Sequence, residues 1–301
     1  MTRLTSRSYV RQLLRQRGIR LSRRRGQNFL VDQGQLLKIE AAAELSPEDR
    51  VLEIGAGLGT LTELLARRAG WVTAVEVDKG LFQLLTEHLQ GFSNVRLVLG
   101  DALTLDLAAL LAGGPDRAAD QDPPPAAKVV ANLPYYITTP LIARLLTEVH
   151  PRCPLERLVV MVQREVAARM VAAPGSKEYG AFSVLVQYYT DPTIHALVPA
   201  RAFFPVPEVD SAIVVLRLRT APLVHVSDER LFFRLVRAAF GQRRKTLVNA
   251  LSGSPGLQLS KEQVGVVLAE AGIDPRRRGE TLSLGEFARV VNAFSAYLER
   301  S

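Results

Sequence analysis

The chain has 301 residues, 48% of them hydrophobic, which is enough for one large or two ordinary domains with a substantial core. Its formal net charge of +8 favours a polyanionic partner. Cys153 is the only cysteine, so an intrachain disulfide is excluded and a reducing, cytoplasmic compartment is expected. No apolar run reaches the ~18 residues of a membrane-spanning helix, and no secretory signal precedes the first arginines.

The chain opens with a basic leader, residues 1–25, which contains nine arginines and no acidic residue from Thr2 onwards. Val10, Leu13 and Leu14 form a short apolar stripe within it. Three interpretations remain open: a nucleic-acid-binding arm, an organelle transit peptide and a plain solvated tail. If the leader is an arm, its last arginines are candidate contacts to the nucleic acid: Arg23, Arg24 and Arg25.

A βαβ unit with a glycine-rich turn is predicted after a helix from about Gln33 to Glu44. The unit begins with a buried-strand run at Val51–Ile54. A turn into an amphipathic helix follows at Gly55–Thr60, and a second strand is predicted at Trp71–Glu76. The glycines have the spacing GxGxG and not the GxGxxG of the dinucleotide fingerprint, so a nicotinamide site is possible but less favoured. S-adenosylmethionine carries no pyrophosphate and needs no phosphate cradle, which suits this turn better.

Four residues of this region are candidate cofactor ligands. Gly55 and Gly57 let the backbone approach a ligand closely. Glu76 ends the second strand, where a carboxylate suits the two ribose hydroxyls of an adenosine. Asp101 follows a predicted third strand, Val95–Leu99, and either accepts from an adenine amine or caps a helix.

The stretch Asn132–Tyr136 carries the candidate catalytic residues. It follows a short apolar run and precedes a helical pattern, so it is predicted at the carboxyl end of a strand, where open α/β sheets place their active sites. Pro134 stiffens the loop, the amide oxygen of Asn132 can accept a hydrogen bond from an amine, and Tyr135 offers a flat face to a base. The alternative is an ordinary loop with a buried tyrosine.

Further along, a fifth strand, two helices and a final strand pair are predicted: Leu158–Val162, Arg164–Val171, Ala181–Tyr189, Thr193–Val198 and Ser211–Leu218. The loop within the strand pair contains Phe203 and Phe204, which are either core anchors or the second side of a base-stacking sandwich.

Residues Ala112–Ala127 are rich in Ala, Pro, Asp and Gly and indicate an exposed insertion.

Near Leu223 the pattern becomes helical without strand signals. The predicted organisation is therefore a basic leader (1–25), a Rossmann-like catalytic domain (26–222) and a helical, RNA-binding domain (223–301). The last of these contains a basic triplet that we predict to contact the nucleic acid: Arg243, Arg244 and Lys245.

Together these segments resemble the ribosomal RNA adenine dimethyltransferase family from the leader to the C-terminus. The matching motifs are Gly26–Leu30, Glu53–Thr60, Glu76–Asp78, Gly100–Asp101, Asn132–Tyr136, Phe203–Pro207 and Gln242–Asn249. The resemblance implies an α/β, Rossmann-like class I methyltransferase sheet with a small C-terminal all-α domain. It also implies S-adenosylmethionine as cofactor, no metal, and a monomer acting on the small ribosomal subunit or its precursor. The insertion is longer than expected of the family.

The resemblance also assigns roles to single residues. For cofactor binding, the family's motifs fall on six positions: Asn28, Leu30, Gly55, Glu76, Asp101 and Asn132. The catalytic motif covers four: Asn132, Leu133, Pro134 and Tyr135. In the expected reaction, the Asn132 amide and the Pro134 carbonyl accept the hydrogens of an adenine amine. Tyr135 faces the flipped base, with Phe203 or Phe204 on its other side.

Three alternatives stay open. A related enzyme acts on large-subunit RNA and confers antibiotic resistance, and the basic C-terminal helices disfavour it. A non-catalytic ribosome-assembly factor would use the same surfaces only for binding, which an intact Asn132–Tyr135 motif argues against. A nicotinamide-dependent oxidoreductase is disfavoured by the glycine spacing and by the basic charge.

Overall fold

The computed structural model describes residues 3–19, 21, 26–113, 126–257 and 259–300. The predicted RNA contacts Arg23–Arg25 and most of the predicted insertion, residues 114–125, lie outside this part of the chain. The chain divides into two compact units. Residues 1–167 and 191–218 form the sheet unit, and residues 168–190 and 219–301 form the helical unit. Within the described ranges, no helix is both long and apolar enough to cross a membrane.

The strands are β1 (Phe29–Leu30), β2 (Arg50–Ile54), β3 (Trp71–Glu76), β4 (Val95–Leu99), β5 (Ala127–Asn132), β6 (Leu155–Gln163), β7 (Thr190–Val198), β8 (Phe203–Phe204) and β9 (Ser211–Leu218). The helices are α1 (Arg7–Gln16), α2 (Gln33–Ala43), α3 (Thr60–Ala66), α4 (Lys79–His88), α5 (Leu107–Ala112), α6 (Thr138–Arg144), α7 (Arg164–Val171), α8 (Ala181–Tyr189), α9 (Glu229–Gly241), α10 (Leu247–Ser252), α11 (Lys261–Glu270) and α12 (Leu284–Arg300).

Seven strands form the central sheet in the order β4-β3-β2-β5-β6-β9-β7. Strands β2 to β6 pair in parallel, and β9 runs antiparallel to β6. The nearly unbroken burial of β5 and β6 explains why their sequences are continuous apolar runs rather than alternating ones. The sheet confirms the predicted α/β, Rossmann-like fold.

The strand order reverses between β2 and β5, which lie side by side. From β2 the chain proceeds outward to β3 and β4, whereas from β5 it proceeds the other way to β6. Open α/β sheets bind their ligands outside the carboxyl ends of the strands at such a switch point. Gly55 follows β2, Glu76 ends β3 and Asn132 ends β5, so the topology places these three residues at one edge of the sheet.

Helix α1 shows that the basic leader is not a plain solvated tail over residues 3–19. Ser6 caps its first turn by accepting from the Tyr9 amide. Val10 and Leu14 are buried in an apolar cluster that includes Phe29 and Leu58. Because this cluster stabilises the helix, residues 3–19 of the leader are part of the folded sheet unit.

The helical unit begins earlier than the predicted boundary at residue 222, because it includes residues 168–190. The reason is an aromatic cluster in which Tyr188 lies 5.1 Å from Phe232 and 5.3 Å from Phe233, measured between ring centroids. The hydroxyls of Tyr188 and Tyr189 both donate to the Glu229 carboxylate. Helix α8 therefore packs on α9, although the pattern of its sequence gave no sign of that partner.

One acidic side chain, Glu53 of β2, is buried in the sheet unit and is 1% exposed. Its Oε2 atom has no hydrogen-bond partner among the described residues. Burial raises the pKa of Glu53 to about 8, with the charge of Glu76 adding to the rise and the nearby Thr62 hydroxyl opposing it. The folded chain therefore keeps a proton on Glu53 at pH values where the unfolded chain, with its ordinary pKa near 4.5, has lost it.

This difference in proton binding predicts a pH-dependent stability. Since the folded state binds the extra proton between pH 4.5 and about 8, the free energy of unfolding falls as pH rises through that window. Glu53→Gln should remove this fall, so the variant should melt near the parent's temperature at pH 5 and on the order of several degrees higher at pH 8.5. Thermal melts of the ligand-free protein across this pH range measure the difference in melting temperature.

Glu48→Gln is the matched control, because Glu48 is an exposed acid of the same unit. The melting temperature of Glu48→Gln should equal that of the parent at every pH. If the melting temperature of Glu53→Gln fell with pH as steeply as that of the parent, the buried carboxyl would not be the group that titrates.

Candidate active site

The glycine turn after β2 brings the backbone against two other loops. Gly55 and Gly57 have φ angles of 78° and 60°, in the left-handed region that side chains disfavour. A Cβ atom on Gly55 would lie 3.3 Å from the Pro134 ring, and one on Gly57 would lie 3.2 Å from the Phe29 ring. Both glycines are therefore required by conformation and by close approach, as their spacing predicted.

Glu76 holds this turn in place from the end of β3. Its Oε2 accepts from the Gly57 amide at 2.8 Å, and its Oε1 accepts from the amides of Val77 and Asp78 at 2.9 and 2.8 Å. Burial raises the pKa of Glu76, and these three backbone hydrogen bonds oppose the rise. The carboxylate is thus fixed in position, with one lone pair, on Oε2, left to accept from a hydroxyl of a ligand.

Asp101 caps a turn rather than the helix that the sequence analysis allowed, because Asp106 caps α5, and it keeps an oxygen for a ligand. Its Oδ1 accepts from the Leu103 amide at 2.8 Å, which caps the turn after β4. Its side chain lines a small cavity with Gly100, Pro134 and Tyr136. Turn capping and ligand binding are therefore compatible at this residue.

Asn132 is held by the N-terminal loop. Its Nδ2 donates to the Asn28 carbonyl at 3.1 Å, across 104 residues of sequence. Asn28 lies in a short turn closed by its amide and the Gly26 carbonyl, and Leu30 is buried behind it. The residues alone gave no argument for Asn28 or Leu30, because this long-range contact has no local sequence signal.

The expected acceptor role of Pro134 is not supported by its contacts. Its carbonyl already accepts from the Ile137 amide at 3.2 Å and from the Thr138 hydroxyl at 3.1 Å. Both lone pairs are therefore used within the turn that starts α6. The carbonyl of Leu133 receives no hydrogen bond from the described residues, so it is the better candidate for a second acceptor beside Asn132.

Tyr135 is fixed by a residue that the sequence reasoning missed. Its hydroxyl lies 2.9 Å from the Oγ atom of Ser211, which is fully buried at the start of β9. Burial raises the pKa of the Tyr135 phenol, so the group stays neutral. This hydrogen bond holds the far end of the Tyr135 ring in position, whereas Tyr136 is exposed.

Phe203 does not fit the base-stacking role predicted for it. Its side chain is 0% exposed and packs in the core with Leu30 and Ile39, so neither face of the ring is open to a base. Phe204 is half-buried, and the Arg11 guanidinium lies 5.6 Å from its ring centroid. For Phe204 the stacking role stays a prediction.

Within the helical unit, the basic triplet divides into paired and unpaired residues. Arg243 donates to the Glu280 carboxylate at 2.6 Å and to the Lys177 carbonyl at 2.5 Å. Arg244 and Lys245 are exposed and form no ion pair with any described residue. Their predicted contact with RNA stays a prediction, with Arg243 the least available of the three.

The sheet unit gathers most of these residues around one cavity. Its wall includes the glycine turn, both buried acids, the N-terminal loop and the predicted catalytic stretch: Asn28, Leu30, Glu53, Gly55, Gly57, Glu76, Asn132, Leu133, Pro134 and Tyr135. The smaller cavity with Asp101 shares Gly55, Pro134 and Tyr136 with it. The walls offer hydrogen-bond acceptors and aromatic side chains, so their chemistry matches a ligand that carries hydrogen-bond donors and a flat ring.

Comparison with known proteins identifies relatives over nearly the whole chain. Residues 19–295 match the family described as ribosomal RNA adenine dimethylase. Ribosomal RNA small subunit methyltransferase A of Moorella thermoacetica is 55% identical over 282 residues, which are 92% of this chain and 94% of that protein. The protein of the same name from Geobacillus kaustophilus is 47% identical over 287 residues, which are 95% of each chain.

Two solved structures are similar over most of their length. A dimethyladenosine transferase from Plasmodium falciparum aligns with a TM-score of 0.72 and 26% identity, covering 88% of this chain and 97% of that one. The 23S rRNA methyltransferase ErmE aligns with a TM-score of 0.64 and 28% identity, covering 89% of this chain and 100% of that one. The sequence match over residues 19–295 and these relatives show that the chain belongs to the ribosomal RNA adenine dimethylase family.

Proposed function

We propose that this protein transfers methyl groups from S-adenosylmethionine to the exocyclic amines of two adjacent adenines near the 3′ end of small-subunit ribosomal RNA. The observation that carries the proposal is the position of Asn132, a fixed amide acceptor in the same cavity as the glycine turn and Glu76. The small subunit is favoured because relatives 43–55% identical bear its name, whereas the 23S enzyme is 28% identical. The partner would be the cytoplasmic small subunit or its precursor, bound by a monomer.

The cavity fits S-adenosylmethionine on the chemistry of its wall. Glu76 offers the free lone pair of its Oε2 to a ribose hydroxyl, and Asp101 in the adjoining cavity offers an acceptor to the adenine amine. Glu53 contributes a buried carboxyl oxygen that no described residue pairs with, which suits the cationic methionine portion. When bound, S-adenosylmethionine supplies an electrophilic methyl group.

The protein's part in the reaction is to prepare a poor nucleophile. The lone pair of the adenine amine is delocalised into the ring, so hydrogen bonds from the amine to the Asn132 Oδ1 and the Leu133 carbonyl would favour a pyramidal nitrogen. Asn28 fixes the Asn132 amide by accepting from its Nδ2. No strong base is required, because the amine's proton can leave afterwards. Most of the acceleration would come from alignment.

The target adenine must leave its stack to reach these acceptors. Tyr135 would face the flipped base, with the hydroxyl end of its ring held by the hydrogen bond to Ser211. Since Phe203 is buried in the core, it cannot form the other side of the stack.

Removing the charge from Glu76 tests the ribose assignment. Glu76→Gln keeps the volume, but its NH2 group cannot accept from a backbone amide and its remaining oxygen carries no charge, so affinity for S-adenosylmethionine should fall at least on the order of tenfold. Isothermal titration calorimetry measures this, and exposed Glu48→Gln should bind like the parent. Parental affinity in Glu76→Gln would refute the assignment.

Removing the amide of Asn132 tests the catalytic assignment. Asn132→Ala should remain folded, because the side chain's hydrogen bond is a single one to a loop carbonyl. Its single-turnover rate on small subunits, with RNA and cofactor saturating, should fall by roughly two orders of magnitude, as for loss of a preorganised polar group. Cofactor affinity of the same variant, expected to fall modestly at most, serves as its control. A parental rate would show that Asn132 is not the amine acceptor.

Neutralising two exposed charges tests RNA binding by the helical unit. Arg244→Gln combined with Lys245→Gln should weaken RNA binding and reduce the slope of log affinity against log salt by roughly 1.4–1.8, at about 0.7–0.9 for each phosphate bound. Filter binding across a salt series measures it. Arg276→Gln is the control, because the Arg276 guanidinium is already paired with Asp274. An unchanged slope in the double variant would mean that these charges face solvent.

A further inference from the structure

Helix α1 has two faces with different chemistry. Val10 and Leu14 are buried against Phe29, Leu58 and other apolar residues of the sheet unit. Beside this face, Arg7, Arg11 and Arg15 recur at every fourth position and are exposed. The helix contains no acidic residue, so nothing within it neutralises the row.

The arginine row is free of ion pairs with the residues that the structure describes. Arg17, just past the helix, differs because its guanidinium is paired with both oxygens of Glu87. At a rise of about 1.5 Å per residue, the row spans ~12 Å with ~6 Å between neighbours. This spacing is comparable to that of successive phosphates along a nucleic-acid strand.

The row lies close to the active-site cavity. The Arg11 guanidinium lies over the ring of Phe204, 5.6 Å from its centroid. Phe204 is the direct ladder partner of Phe29 in the β1–β8 pair, and Phe29 lines the cavity. A strand whose base enters the cavity would therefore have its flanking backbone within reach of α1.

We propose that α1 is an RNA-docking helix, in which Arg7, Arg11 and Arg15 bind successive phosphates of the strand that carries the target adenines. The inference rests on the proposed function, because it takes ribosomal RNA as the substrate. It differs from that function in naming the surface that orients the flanking backbone, which the catalytic residues do not touch.

RNA is favoured over a membrane surface as the partner of this helix. An amphipathic helix binds a membrane by burying its apolar face in the lipid. The apolar face of α1 is already buried in the protein, so its exposed part is the polar and arginine surface. Guanidinium groups bind phosphates with two parallel hydrogen bonds, which suits an RNA backbone.

The test compares two variants with the same change in net charge. The first combines Arg7→Gln, Arg11→Gln and Arg15→Gln. The control combines Arg68→Gln, Arg152→Gln and Arg217→Gln, whose guanidinium groups are paired with Glu40, Asp106 and Glu44. The control residues lie near the amino ends of the parallel strands, at the sheet edge opposite the cavity.

The α1 variant should reduce the salt slope of small-subunit binding by roughly 2–3, at about 0.7–0.9 for each phosphate that an arginine no longer binds. Its S-adenosylmethionine affinity, and its single-turnover rate with saturating subunits, should stay parental. Hydroxyl-radical footprinting should show weaker protection of the backbone beside the two target adenines. The control variant should show the parental footprint and a smaller change of slope.

An α1 variant with the parental slope and footprint would overturn the inference, provided that the parent methylates the subunits. If the parent itself does not methylate them, the proposed function fails instead, so the two failures are distinguishable. A third variant, with lysine at the three α1 positions, separates charge from helix stability. It should keep the parental slope, and a slope as low as that of the glutamine variant would show that charge is not the cause.

Discussion

The hydrogen bond from the Gly57 amide to the Glu76 carboxylate connects the two strands on which the site depends. It ties the left-handed turn after β2 to the end of β3, and the amides of Val77 and Asp78 complete the shell around the same carboxylate. The glycines can follow this path because they have no Cβ atom, and Cβ atoms there would lie only 3.2–3.3 Å from the Phe29 and Pro134 rings. The cavity wall is therefore set by backbone geometry before any ligand binds.

This arrangement places two acids, Glu53 and Glu76, in one apolar-backed cavity, and burial raises the pKa of both. Such groups destabilise the folded chain at neutral pH unless something compensates for them. Glu76 is compensated by backbone N–H groups, whereas one oxygen of Glu53 has no partner in the part of the chain that the structure describes. A cationic ligand would supply the missing partner, so cofactor binding and stability of the sheet unit should be linked.

The N-terminal segment connects the proposed cofactor cavity with the surface proposed for RNA. Its loop accepts from Asn132 through the Asn28 carbonyl, and its helix covers Phe29 and Leu58. The outer surface of the same helix presents the arginine row. A single segment thus supports the proposed acceptor amide on one side and presents the arginines proposed to bind RNA phosphates on the other.

The sequence by itself determined the parts of this protein that follow from local patterns. Apolar runs predicted the strands, and β3, β4 and β9 begin and end where they were expected. The spacing of Gly55 and Gly57 predicted the tight turn, and the carboxyl-end positions of Glu76 and Asn132 followed from the βαβ order. These features depend on a few neighbouring residues, and the combination of motifs was specific enough to indicate the family.

Only the tertiary structure decided features that depend on residues far apart in the chain. The Asn28–Asn132 and Tyr135–Ser211 contacts, the burial of Phe203 and the saturation of the Pro134 carbonyl needed the packed fold. Residues 168–190 joined the helical unit because Tyr188 and Tyr189 pack on α9, not because of any boundary signal. Packing partners and spare lone pairs are properties of the assembled structure, since they depend on which distant atoms compete for the same space and the same hydrogen bonds.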